Sequence, residues 1–121
     1  MTVAKVAWRI ELAAAANRDV VDILRWTTQA FGSRQAASYE ATLTRALENL
    51  QAGPTAAGAK RRPELGLDIY LLHVAKKRRR GRHFLVFRPL SDRPTPTIQV
   101  LRILHDAMDL ARHLPDTSNE A

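Results

Sequence analysis

Two histidines and two arginines near the C-terminal end of the chain are the side chains best suited to do chemistry. His83 and Arg88 lie in one apolar run, and Arg102 and His105 lie in the next. Cleavage of a phosphodiester by a neighbouring hydroxyl needs a base for that hydroxyl, an acid for the leaving oxygen and cations for the phosphate. These four residues supply those types, so they are the catalytic candidates if the chain is a nuclease.

Other kinds of chemistry find little support. The chain has four histidines and no cysteine, and no two histidines stand four residues apart on a helix, so we predict no metal site and no cofactor. Arg102 interrupts an apolar strand, where an unpaired charge would be too costly. It either pairs with a carboxylate such as Asp106 or Glu64, which we favour, or it faces a groove that a partner fills. No apolar run approaches the roughly 18 residues that cross a bilayer, and no signal peptide is recognisable. We therefore expect a cytoplasmic protein without membrane contact.

A basic run dominates the charge of the chain. The formal net charge is +7, and most of the excess lies between Lys60 and Arg93. Such a segregated charge is either a solvated hairpin tip or a contact for nucleic-acid phosphate or for an acidic protein. The candidate contact residues are Lys76, Lys77, Arg78, Arg79, Arg80 and Arg82.

The first half of the chain predicts a strand and a helical hairpin. Residues 6–12 alternate as a strand does. Two helices follow, with Asn17 or Asp19 capping the first, Gly32 ending it and Ser33 capping the second. Gly53-Pro54 stops the second helix, and a long loop runs to Leu67. The apolar stripes are Val20, Ile23, Leu24, Thr27 and Phe31 in the first helix, and Ala36, Tyr39, Leu43, Ala46, Leu47 and Leu50 in the second.

The second half predicts three strands, at 68–75, 82–89 and 97–104, with short connections that make them an antiparallel meander. Phe84 and Val86 should face opposite Leu85 and Phe87, and in the last strand Ile98 and Val100 should face opposite Leu101 and Ile103. Both strand faces are apolar. The helical hairpin covers one face, whereas the other needs a cover that this chain scarcely supplies.

These elements predict one domain at 1–115, ending in a short helix over about 106–114, with a disordered tail at 116–121. The fold class is α+β in two layers. An N-terminal strand and an antiparallel helical hairpin pack on a mainly antiparallel sheet, in the order β-α-α-β-β-β.

Three short motifs carry a family resemblance. Arg-Pro-Glu-Leu-Gly at 62–66 precedes a strand, Gly-Arg-His-Phe-Leu-Val-Phe-Arg at 81–88 forms the next, and Val-Leu-Arg-Ile-Leu-His at 100–105 leads into Asp-Ala-Met-Asp-Leu. In this order they resemble the ParE branch of the RelE/ParE toxin superfamily, over nearly the whole chain. The resemblance implies the toxin of a type II toxin–antitoxin system, held in a hetero-oligomer by a cognate antitoxin, ParD-like or other.

The resemblance also implies where partners bind. An antitoxin that covers the apolar sheet face, or the target itself, would contact a set of residues on the last strands and the terminal helix: Phe84, Val86, Arg88, Val100, Arg102, Met108 and Leu110. His105 recurs in ParE-like proteins that are not nucleases. We therefore interpret it as a strand-end hydrogen-bonding residue and assign no catalytic residue.

Three functions remain open at this point. The ParE branch implies inhibition of DNA gyrase by binding, without enzymatic activity. RelE-like relatives are instead endoribonucleases that cut mRNA on the ribosome, and the shared fold cannot decide between the two. The third function is a non-toxic basic module that binds nucleic acid, although no docking motif for such a module is recognisable.

Overall fold

The computed structural model describes residues 7–74 and 83–105. The predicted terminal helix at 106–114, the tail at 116–121 and the basic run from Lys76 to Arg82 lie outside the described residues. Two single-turn 3-10 helices, Leu50–Ala52 and Pro63–Leu65, occur in the loop after the second α-helix. The main elements are β1 (Arg9–Leu12), α1 (Ala14–Phe31), α2 (Ser33–Asn49), β2 (Lys60–Arg61), β3 (Tyr70–His73), β4 (His83–Leu90) and β5 (Thr97–His105).

The five strands form one sheet in the order β1-β5-β4-β3-β2. β1 runs parallel to β5, and the other neighbouring pairs are antiparallel. From β1 the chain passes through α1 and α2 to β2 at the far edge of the sheet. The strands β3, β4 and β5 then follow one another back across the sheet, so that β5 lies beside β1. The predicted α+β class and element order are confirmed, with one addition. The long loop after α2 contributes the two-residue strand β2.

Gly32 alone joins α1 to α2, and the three elements form the helical hairpin. Gly32 has φ 94°, a left-handed conformation that favours glycine. The α2 stripe is confirmed, since Leu43 and Ala46 are buried and Tyr39 packs against the core. In α1, Phe31 is 63% exposed, so the prediction that it continues the buried stripe is wrong.

The starts of both helices differ from the prediction. α1 begins at Ala14 with Ala13 as its N-cap, and no side chain caps it. Asn17 and Asp19 therefore lie inside the helix, because the alanines before them are strong helix formers and extend it backwards. In α2, Gly32 is the N-cap and Ser33 is the first helical residue.

Both faces of the sheet are buried. The hairpin covers one face, where side chains such as Leu50, Leu85 and Phe87 form the main core. The other face carries a second cluster of Ile69, Leu71, Val86, Leu101 and Leu104, each 6% exposed or less. The expectation of a poorly covered face is therefore wrong. Part of the cover comes from the turn at Pro63–Leu65, since Leu65 packs against the second cluster.

A β-bulge divides β5. Val100 pairs with Phe87 and Arg102 pairs with Val86, so Leu101 is an extra residue between the two pairs. The bulge shifts the alternation by one residue, and Ile103 joins Ile98 and Val100 in the main core. The prediction that Ile103 faces the same side as Leu101 is wrong for this reason. The predicted alternation of β4 is confirmed.

The approach of β1 to the end of α2 depends on a glycine. The Trp8 amide donates a hydrogen bond to the Gln51 carbonyl, and the Trp8 ring packs on Gly53 and the core. A Cβ placed on Gly53 would lie 2.5 Å from Trp8 Nε1, and Gly53 also has φ 87°. Only glycine fits here without a rearrangement.

Candidate functional site

The ends of β4 and β5 bring two histidines together. His83 and His105 are paired in the strand register, and their ring centroids lie 5.4 Å apart with the rings nearly perpendicular. The bulge in β5 places His105 on the same side as Ile103, which faces the helical hairpin. Two of the four catalytic candidates are therefore neighbours on the helix-covered side of the sheet.

Tyr39 on α2 holds His83. The Tyr39 hydroxyl oxygen lies 2.6 Å from His83 Nδ1, and the ring centroids are 5.5 Å apart. Burial raises the pKa of Tyr39 to about 12, so the phenol keeps its proton at neutral pH. The phenol donates to Nδ1 in one His83 tautomer, and Nδ1–H donates to the phenol oxygen in the other. In either case the hydrogen bond orients the His83 ring.

These three side chains form part of the wall of a pocket of about 650 Å³ between the hairpin and the strand ends. Trp26 and Phe31 stand at this pocket as an edge-to-face pair with centroids 5.6 Å apart, and they are 58% and 63% exposed. We call it the Tyr39 pocket. Its described lining is Asp22, Ile23, Trp26, Thr27, Phe31, Gln35, Ser38, Tyr39, Thr42, His83 and His105.

Arg102 pairs with Asp19 of α1. Arg102 Nε donates to Asp19 Oδ2 at 2.8 Å, and a terminal nitrogen donates to Oδ1 at 3.0 Å. The Ile103 amide donates to the same Oδ2 at 2.9 Å. The expected partners were Asp106 and Glu64. Glu64 instead contacts Arg62, and Asp106 lies outside the described residues. Asp19 reaches Arg102 because α1 packs against β5. Hydrogen bonding to Asp19 raises the pKa of Arg102 further above its ordinary value.

Arg88 does not join the two histidines. Its Nε donates to the Gln99 side chain at 3.0 Å. In β4 it alternates with Phe87 of the main core, so it lies on the sheet face opposite to the hairpin. Arg88 and Arg102 were expected to converge from neighbouring strands. Arg102 pairs with Val86, two residues before Arg88 in β4, but the two guanidiniums bond to different acceptors, Arg88 to Gln99 and Arg102 to Asp19.

The predicted partner contacts are scattered. Val86 and Val100 have no exposed surface and lie in different clusters on opposite faces, so as placed they offer nothing to a partner. Phe84 stays partly exposed and packs edge-on against His73, with centroids 4.9 Å apart. For Phe84, Arg88 and Arg102 the contact stays a prediction. Met108 and Leu110 lie outside the described residues, as do Lys76 to Arg82.

A family model described as the ParE toxin of the type II toxin–antitoxin system, parDE, matches residues 10–110. The chain belongs to this family. A solved structure titled "Chromosomal ParDE TA system from P. aeruginosa" has a similar fold, with a TM-score of 0.63 and 18% identity over 84% of this chain and 98% of that one. The comparison with curated proteins gave no match.

Two residues that build the site in this ParE family member were not recognised from the sequence. The sequence pattern predicts Asp19 as a helix cap and places Tyr39 in an apolar stripe. The signal that would have found both is a polar group on the inward face of an amphipathic helix, since such a group must find a partner on the element that it packs against.

Metal and membrane functions gain no support from the described part of the chain. No group of three or more potential ligands gathers there in a way that could hold a metal ion. Among residues 7–74 and 83–105, no helix is both long enough and apolar enough to cross a membrane.

Proposed function

We propose that this chain is a toxin that binds DNA gyrase in the cytoplasm and poisons it, and that a cognate antitoxin neutralises it. The family match over residues 10–110 is the observation that carries the proposal. Inhibition by binding needs a complementary surface and no reacting side chain. The chain would then be a toxin without enzymatic activity.

The arrangement of the cations supports binding over RNA cleavage. A phosphodiester in its transition state needs donors aimed at one developing charge. Arg102 is engaged by both oxygens of Asp19, and Arg88 donates to Gln99 on the sheet face away from the hairpin and from the two histidines. The cations required for cleavage would therefore have to come from elsewhere in the chain.

The proposed antitoxin partner has two supports. The solved relative comes from a ParDE toxin–antitoxin system, and this chain carries a formal charge of +7. An acidic antitoxin segment would be attracted to such a surface. We expect the purified pair to elute as one complex, with the toxin inactive in it.

Supercoiling of relaxed plasmid by purified gyrase tests the target. We expect added toxin to reduce supercoiling and to accumulate cleaved DNA, and the purified antitoxin to restore supercoiling. A gyrase inhibitor of known action serves as the positive control. If the toxin arrests growth yet leaves both supercoiling and DNA cleavage unchanged, the gyrase proposal is wrong.

Ribosome-dependent RNA cleavage is the second candidate, because His83, His105 and Tyr39 do meet in one pocket. Imidazoles are the commonest general acids and bases. The variants His83→Gln and His105→Gln separate the two functions. Gyrase inhibition predicts that growth arrest survives both substitutions. An endoribonuclease would lose its arrest in both, and cut mRNA would accompany the arrest in the unmodified protein.

A further inference from the structure

The Tyr39 pocket has the size and lining of a site for a small aromatic molecule. Ligand pockets typically measure about 300–1,000 Å³ and combine apolar walls with a few polar groups. The volume here is about 650 Å³. Ile23, Trp26 and Phe31 supply the apolar wall, and Trp26 and Phe31 keep more than half of their surface exposed.

The polar groups of the pocket suit a ligand that both donates and accepts hydrogen bonds. Gln35 has an amide with donors and an acceptor, and the Ser38 hydroxyl does both. The Thr42 hydroxyl donates to the Ser38 carbonyl at 3.2 Å and can still accept. These three residues, at spacings of three and four, come from one side of α2, whereas the aromatic pair comes from the last two turns of α1. An apolar protein side chain would contact the aromatic wall but would leave the hydrogen-bonding groups of α2 without a partner in the ligand.

A nucleobase meets both requirements. Its faces stack on aromatic side chains, and its edges carry hydrogen-bond donors and acceptors. The attached phosphate would be favoured by the net charge of +7. Asp22, which also lines the pocket, would oppose a phosphate there but would accept hydrogen bonds from a base amine. The base therefore belongs inside the pocket, with the phosphate outside it.

We propose that the Tyr39 pocket binds a nucleobase, with Trp26 stacking on its face and the polar wall of α2 contacting its edge. The base comes either from a free nucleotide or from an unstacked position in a single strand. The site is independent of the gyrase target, because binding requires only the isolated toxin.

Tryptophan fluorescence provides a local probe. The chain has two tryptophans, and Trp8→Phe leaves Trp26 as the sole indole. The four ribonucleoside monophosphates are titrated into this variant, followed by a short single-stranded oligonucleotide and its abasic counterpart. A matching unfolding temperature checks that Trp8→Phe folds. We expect quenching of Trp26 by at least one base-containing ligand and none by ribose phosphate.

Calorimetry on variants of the full chain completes the test. Trp26→Ala should weaken binding by about 5-fold to 150-fold, the range for the loss of one base–aromatic stack. Val21→Ala is the matched control, since Val21 is an exposed apolar residue of α1 outside the pocket lining. It should leave the affinity unchanged.

The outcomes separate the sources of the base. Binding of monophosphates supports a free nucleotide, and binding of the oligonucleotide alone supports a strand. Equal affinity for the normal and abasic oligonucleotides would mean that phosphate contacts carry the binding, and it would overturn the proposal. Absence of binding by every ligand, or an unchanged affinity in Trp26→Ala, would also overturn it. None of these results depends on gyrase activity.

Discussion

Replacing Asp19 with alanine removes an acceptor that two groups of β5 share. The Asp19 carboxylate receives two hydrogen bonds from Arg102 and one from the Ile103 amide, all at 2.8–3.0 Å. The side chains of Arg102 and Asp19 are 23% and 14% exposed. The substitution leaves a guanidinium and a backbone N–H without this acceptor at the contact between α1 and the sheet.

The expected cost follows from that geometry. Removing one partner of a buried ion pair costs about 3–5 kcal/mol, and an unsatisfied amide adds about 1–3 kcal/mol. Partial exposure lets water replace some of these bonds, so we expect a loss of about 2–4 kcal/mol in the free energy of unfolding. For a chain of this length, that corresponds to a fall in unfolding temperature of roughly 10 °C.

Urea unfolding followed by circular dichroism measures the loss, with Asp22→Ala as the matched control. Asp22 is exposed on the same helix and undergoes the same change of charge, so its replacement should cost less than about 0.5 kcal/mol. The double variant Asp19→Ala with Arg102→Met should recover stability relative to Asp19→Ala, because it also removes the guanidinium that has lost the Asp19 acceptors. Equal losses in the Asp19 and Asp22 variants, or no recovery in the double variant, would refute the reasoning.

Two further predictions concern Tyr39 and Gly53. Burial raises the pKa of Tyr39 to about 12. Between about pH 10 and pH 12 the folded chain therefore keeps a proton that the unfolded chain releases, and the free energy of unfolding should fall as pH rises through this range. In the variant Tyr70→Phe, Tyr39 is the sole tyrosine, and its phenolate absorbance should rise with a midpoint near pH 12. A midpoint near pH 10 would contradict the burial argument. Gly53→Ala should cost about 1–3 kcal/mol more than Gly32→Ala in thermal unfolding, since both glycines have positive φ but only Gly53 meets the Trp8 ring. Equal costs would mean that the indole moves aside freely.

The fold was largely predictable because its signals are local. The stripe of α2 repeats every three or four residues, and the alternation of β4 repeats every two, so each pattern identifies its element and its buried face. The short β3–β4 and β4–β5 connections imply antiparallel pairing. The start of α1 was harder to predict, because the alanines before Asn17 extend the helix without a capping side chain.

The site was predicted less well. His83 and His105 were among the candidates and do meet, but Arg88 and Arg102, which were expected to converge, bond to different acceptors, Gln99 and Asp19. A bulge of one residue at Leu101 changes which side chains of β5 share a face. Nothing in the local pattern marks that extra residue, since Val100, Leu101, Ile103 and Leu104 are all apolar.

By itself, the sequence determined the class of the fold, the charge of the chain and its family, because composition, periodicity and motif order are properties of the chain alone. The tertiary structure decided which polar groups meet. Asp19 and Arg102 are 83 residues apart, and Tyr39 and His83 are 44 apart. Such contacts depend on the packing of α1 and α2 against the sheet, where each buried polar group takes whichever partner lies within hydrogen-bond distance.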